Sequence, residues 1–199
     1  MRLTADKKEE KKYRIMEAGL DLMKLNGFHG TSVKDITDKA GIPKGSFFNY
    51  FESKEAFTDE IIRWYSDEAA SRAASILMNA RMSPINRIKK FYKLNIDFLT
   101  QELKYKEGCF INTMCQEMSD VSKEISTTLM EKIDELRQPL IQCIKEGQDE
   151  GSISDNYRAE DLAIFIDNAF RGTSMVAKSD QRQKPYDIFN RIISDLLKP

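Results

Sequence analysis

The stretch Val33–Glu52, VKDITDKAGIPKGSFFNYFE, decides how the rest of the chain is read. Val33, Ile36 and Ala40 recur at three- and four-residue steps, the spacing of a helix with one apolar face. Gly41 falls where that helix must stop, because a left-handed conformation costs glycine little. Pro43 suits the opening of a second helix, where a missing N–H is no loss. Thr31 or Ser32 is expected to cap the first helix, and Asp35 stands three residues beyond Ser32 in a capping-box relation. Ile42, Phe47 and Tyr50 can then pack inward from the second. Such a pair is a helix-turn-helix, whose second helix enters the major groove of DNA. An ordinary αα-hairpin has the same outline. Local charge does not separate the two, since Asp35, Asp38 and Glu52 offset Lys34, Lys39, Lys44 and Lys54.

The residue types fit the first alternative. Lys44 and Lys54 can neutralise phosphates, and the Thr31 hydroxyl can bond one. Gly45 lets the backbone come close to a duplex, while Ser46 and Asn49 can hydrogen-bond base edges. Phe47 can press on a thymine methyl group.

Outward from this stretch, helical spacing continues in both directions. Ile15, Ala18, Leu22 and Leu25 form a stripe that ends at Asn26-Gly27. Ile85, Ile88, Tyr92 and Leu99 form another, as do Ile125, Leu129, Ile133, Leu136, Leu140 and Ile144. Pro139 lies inside that last stripe and is expected to kink it near Arg137. Two further helices follow, over Leu162–Val176 and Ile188–Leu197. Cys109–Cys115 alone can pass for a short strand, and a lone strand has nothing to pair with. The expectation is an all-α fold of about nine helices, with a three-helix helix-turn-helix domain over 1–52 and an antiparallel helical bundle over 53–199. One uninterrupted helix from Ser53 to about Ala80 joins them, because no Gly or Pro interrupts it.

Composition narrows the function. Lys plus Arg number 31 against 32 Asp plus Glu, a net charge of -1, so any contact with nucleic acid must come from a local patch. No uncharged stretch exceeds nine residues, too few to span a bilayer, and the N-terminus MRLTADKKEEKKYR lacks the apolar core of a signal peptide. A cytoplasmic protein without membrane partners is expected. Three cysteines, Cys109, Cys115 and Cys143, with no CxxC, argue against a disulfide framework, and with one histidine they are too few for a zinc site. That histidine, His29, has no fixed acidic or nucleophilic partner, and no P-loop, GxSxG or HExxH occurs. No enzyme, metal or cofactor is expected.

Phe28-His29-Gly30-Thr31-Ser32-Val33-Lys34-Asp35-Ile36, followed by Ala40-Gly41-Ile42-Pro43-Lys44-Gly45-Ser46-Phe47-Phe48-Asn49-Tyr50-Phe51-Glu52-Ser53-Lys54-Glu55-Ala56-Phe57, strongly resembles the N-terminal DNA-binding region of the TetR family of transcriptional regulators. The detailed match covers about the first 60 residues, and the remaining helices match more loosely. The resemblance implies a homodimer that binds a palindromic operator on double-stranded DNA and is released by a small-molecule effector, with repression favoured. By position, Thr31, Lys44, Tyr50 and Lys54 would contact phosphates, while Ser46, Phe47 and Asn49 would face bases. Phe48 stands where the family commonly carries Tyr, so it is not counted among the contacts.

The segment from Glu107 to Asp120 resembles a helix start in one TetR subgroup, whose relatives respond to small reactive or apolar molecules. Cys109, just after Gly108, can act there as an electrophile or oxidant sensor or be a small core residue. Trp64, Phe91, Tyr92, Phe98, Phe110, Met114 and Phe170 join Cys109 as candidates for an apolar ligand site, and each alone also suits plain core. Asn168 and Arg171 can hold a polar end of a ligand, or face solvent or a partner. The last two helices are the expected dimer interface, as a four-helix bundle across a two-fold axis. The rival reading is a helical ligand-binding or adaptor protein that never touches DNA.

Overall fold

Several helices in this chain begin or end at a cap or a breaker. A computed structural model describes residues 2–106 and 109–199, with side chains from Lys7 onward. It contains α1 (Arg2–Asn26), α2 (Val33–Ala40), α3 (Lys44–Phe47), α4 (Lys54–Leu77) and α5 (Pro84–Asp97). A π-helical turn over Phe98–Glu102 extends α5, and α6 (Phe110–Met118), α7 (Lys123–Asp149), α8 (Ala159–Asp180) and α9 (Lys184–Leu196) follow. The fold is all-α, with no strand among the described residues. Cys109–Cys115, the one stretch read as a possible strand, runs instead into α6.

Local chemistry accounts for the boundaries. Ser53 caps α4, its hydroxyl accepting the Ala56 N–H at 3.0 Å. Pro84 opens α5 and Pro185 lies in the first turn of α9. Helix α7 continues through Pro139 as a single element. After the π-helical turn, Lys104 and Tyr105 both take positive φ, 48° and 61°, which ends the run.

By packing, the chain forms two units, Met1–Tyr65 with Phe110–Met130, and Ser66–Cys109 with Glu131–Pro199. The first unit has Ile15, Met23, Ile36, Phe47, Phe57 and Ile61 at its centre, all sealed from solvent. In the second, Leu77, Ile88, Tyr92, Ile144, Ile166 and Phe189 share one core. This grouping differs from a division after Glu52, because α6 packs with the helix-turn-helix. Phe110 meets the Tyr65 ring edge-on at 5.4 Å, and the Glu117 carboxylate accepts the His29 N–H at 3.0 Å.

Candidate nucleic-acid interface

The helix-turn-helix is fixed from both ends of α2. Ser32 is its N-cap: the hydroxyl accepts the Asp35 N–H, while the Asp35 carboxylate accepts the Ser32 N–H at 2.9 Å. These bonds to Ser32 hold the Asp35 carboxyl below the usual carboxylate range. Gly41 closes the other end at φ 67°, donating its N–H back to the last turn. Arg14 of α1 donates to the Ala40 carbonyl at 2.9 Å, placing a cation at the negative end of α2.

Phe47 then sets the orientation of α3. Its side chain is 0% exposed, with ring centroids 5.2 Å from Phe51 and 5.1 Å from Phe57. Burying an aromatic side chain among others is worth several kcal/mol, so this residue is the pivot of the segment. With Phe47 inside, Lys44, Gly45, Phe48 and Asn49 are exposed, and Ser46 and Tyr50 are half-buried.

Three residues expected to contact DNA are engaged within the chain. Phe47 is sealed core, whereas Phe48, 55% exposed and stacked edge-on against it, presents its ring to solvent. Thr31 is 1% exposed, and its hydroxyl donates to the Gly27 carbonyl at 2.8 Å, closing the turn before α2. Lys54 donates to the Phe28 carbonyl at 2.5 Å with its ammonium 3.9 Å over the Phe28 ring. Desolvation there lowers its pKa. Pattern could not show these, since a lysine or threonine in a turn reads the same whether it faces inward or outward.

The charge balance also resolves residue by residue. Lys34 is paired with Asp38 at 2.6 Å and Lys39 with Asp21 at 2.9 Å. Among the described residues Lys44 has no acidic partner, and Glu52, just past Phe51, has no basic one. The cation nearest the leading edge of α3 is therefore unneutralised.

The ligand-site candidates divide between the units. Trp64, Phe110 and Met114 belong to the first, where Phe110 and Met114 are sealed core and Trp64 stacks edge-on with Tyr13 at 6.0 Å. Phe91, Tyr92, Phe98, Cys109 and Phe170 belong to the second. There Tyr92 lies 5.0 Å from both Phe170 and Phe189, and burial holds its hydroxyl well above the usual tyrosine range. Phe98 is exposed, while Phe91, Cys109 and Phe170 are half-buried. Glu107 and Gly108, which precede Cys109 in the proposed sensor segment, lie outside the described residues. Burial pushes the Cys143 thiol up to about 11, so it stays protonated at neutral pH. Between α5 and α9 a groove of about 340 Å³ is floored by Tyr92, Phe189 and Ile193. Asn168 and Arg171 are engaged within the unit: Arg137 donates to the Asn168 amide oxygen at 2.8 Å, and Arg137 and Arg171 share one Asp167 oxygen. Among the described residues no cluster of three or more metal-ligating side chains occurs.

With this geometry in place, comparison with known proteins is specific. Residues 15–61 match the family of bacterial regulatory proteins of the tetR type, and residues 84–193 match the tetracyclin repressor-like C-terminal domain. The HTH-type transcriptional repressor DhaR of Mycobacterium sp. strain GP1 is 30% identical over 93% of this chain and 91% of its own length. The transcriptional regulator AcuR of Cereibacter sphaeroides is 24% identical over 89% and 80%. The reduced form of Escherichia coli NemR superposes with a TM-score of 0.86 at 21% identity, over 96% of this chain and all of that one, which shows the shared fold. The chain belongs to the TetR family of transcriptional regulators. Its helix-turn-helix is that of a transcriptional repressor family, and no described helix is long and apolar enough to cross a membrane.

Proposed function

We propose that the protein is a cytoplasmic repressor, without enzymatic activity, that binds a two-fold symmetric operator as a homodimer and leaves it when an apolar effector binds. The observation that carries this reading is the leading edge of α3. Lys44, Gly45, Phe48 and Asn49 are exposed together while Phe47 anchors the segment from behind. Lys44 and the Tyr50 hydroxyl contact phosphates, Gly45 admits the backbone, and Ser46 and Asn49 read base edges. Phe48 takes the thymine methyl contact. Lys54 and Thr31 position the turn before α2, and residues 1–52 act as the DNA-reading part of the chain.

The dimer is supported by α8 and α9. Ile164, Phe165, Met175 and Val176 on α8, with Ile188 and Ile192 on α9, are large apolar side chains left 40–57% exposed. Large apolar side chains gathered on one helix face and left open to solvent mark an interaction site. Gly172 lies between these residues on α8, with open space where a Cβ would stand, so nothing in the chain's own packing demands a glycine there. A close crossing by a second copy does. A second copy sets two α3 segments on one face of the duplex, and an effector preferring a different spacing weakens both half-sites together. Within the second unit, the aromatic core around Tyr92 and Phe170, half-buried Phe91 and Cys109, and exposed Phe98 support an apolar or aromatic effector.

Binding to genomic fragments at two salt concentrations tests the reading. Selective retention of a few fragments, with affinity falling steeply as salt rises, is expected. Weak, salt-insensitive binding to every fragment would favour the adaptor reading instead.

A further inference from the structure

The first turns of α1 carry lysines that the operator reading leaves unused. Lys7, Lys8, Lys11 and Lys12 fall within about 140° of one another around the helix, and Glu9 and Glu10 take the opposite side. Lys12 is occupied: it pairs with Glu60 at 2.6 Å and its ammonium lies 5.5 Å over the Phe51 ring. One turn earlier, the Lys8 ammonium lies 6.0 Å over the ring of Tyr50, at the end of the recognition segment. This contact fixes the rotation of α1. Lys8 borders the recognition segment, and Lys11 and Lys7 continue the same face away from Lys12. All three are exposed, and none has an acidic partner among the described residues, in contrast to Lys34 and Lys39.

We propose that the amino-terminal turns of α1 form a second phosphate-binding surface, in which Lys8 and Lys11 neutralise backbone phosphates beside those met by Lys44. The proposal rests on the DNA-binding reading of α3 and extends its footprint. Tyr50 is shared between the two surfaces. Lys8 over its ring stiffens the side chain at the junction and holds the two cationic surfaces in one register. Lys7 lies further along the same face and reaches a phosphate beyond them.

Salt titration of binding to a duplex of random sequence tests this without knowledge of the operator. Each lysine–phosphate contact contributes about 0.9 to the slope of log affinity against log salt, or about 1.8 per dimer. Lys8→Ala and Lys11→Ala are each expected to lower the slope by that amount, so that a fourfold rise in salt weakens each variant about 12-fold less than the parent. Lys8→Arg restores the parent slope, and Lys39→Ala, which removes an ion-paired lysine, leaves it unchanged. A parent slope near zero would sink the DNA-binding reading itself. A steep parent slope that Lys8→Ala and Lys11→Ala leave intact, or one that Lys39→Ala lowers equally, overturns the α1 surface alone. Thermal melts of all four variants matching the parent assign the change to charge, and a lowered melt with an unchanged slope also counts against the proposal.

Discussion

Phe47 and Phe48 are adjacent in sequence and opposite in role, and the contrast can be measured. Truncating Phe47 to Ala removes a sealed ring between Phe51 and Phe57 and is expected to cost about 3–5 kcal/mol in denaturant unfolding. Phe48→Ala removes an exposed ring and is expected to stay within about 0.5 kcal/mol of the parent in the same experiment. Its effect appears in DNA selection, as lost preference for thymine at one position of each half-site. Lys44→Ala weakens every sequence alike, whereas Asn49→Ala changes which sequence is preferred. A uniform loss for Asn49→Ala would remove it from base reading. Gly27 answers to a different constraint. Its φ is +74°, and an added Cβ would stand 1.9 Å from a Glu117 carboxylate oxygen, so Gly27→Ala is expected to lose more than about 1 kcal/mol on thermal unfolding. Sequence alone marked Gly27 only as the end of a stripe, because Glu117 is remote along the chain.

Among the elements, the α4–α5 corner depends on one buried cation. Arg87 is 3% exposed, forks onto Glu146 of α7 at 2.6 and 2.9 Å, and donates to the Met82 carbonyl at 2.7 Å. The guanidinium holds the Glu146 carboxyl below the usual glutamate range. Because that value is depressed on folding, its stabilisation is complete above the ordinary glutamate range and is lost as pH falls through the folded value. Glu146→Gln is therefore expected to lose about 1–2 kcal/mol at neutral pH, less than a fully buried pair because Glu146 keeps a solvent face, and to show a shallower acid limb in pH-dependent melts. A variant with the parent's acid limb would contradict the assignment. Most elements were legible from spacing: the capping box at Ser32, the stop at Gly41 and the α7 stripe all stand where periodicity puts them. The phase of α9 was not. The spacing groups Ile188 and Ile192 in one stripe flanked by Phe189 and Ile193 without showing which of them the chain itself covers, and the structure buries Tyr186, Phe189, Ile193 and Leu197 while leaving Ile188 and Ile192 exposed. Two neighbouring apolar stripes on one helix are equivalent until something packs on each, and period carries no information about which partner is the chain itself.

At the scale of the whole molecule, the exposed apolar faces of α8 and α9 and the leading edge of α3 are claims about the same assembly. Gly172→Trp, or Phe165→Glu, is expected to yield a monomer by sedimentation with helix content unchanged, and to cost operator affinity far more than the loss of a single phosphate contact. A variant that stays dimeric would place the interface elsewhere. What the residues could not convey at this scale is the ligand's seat, because Trp64, Phe110 and Met114 pack in one unit and Phe91, Tyr92 and Phe170 in the other. Aromatic side chains suit both core and ligand wall, and composition does not separate them. The decisive measurement is a hydroxyl-radical footprint on the tightest-binding genomic fragment, made with the parent and with Lys44→Ala plus Asn49→Ala. Two protected patches on one face of the duplex, about one helical turn or a multiple apart and absent with the double variant, are predicted. Protection that persists in the double variant, or a single unpaired patch, would show that residues 44–50 do not read DNA as a symmetric pair.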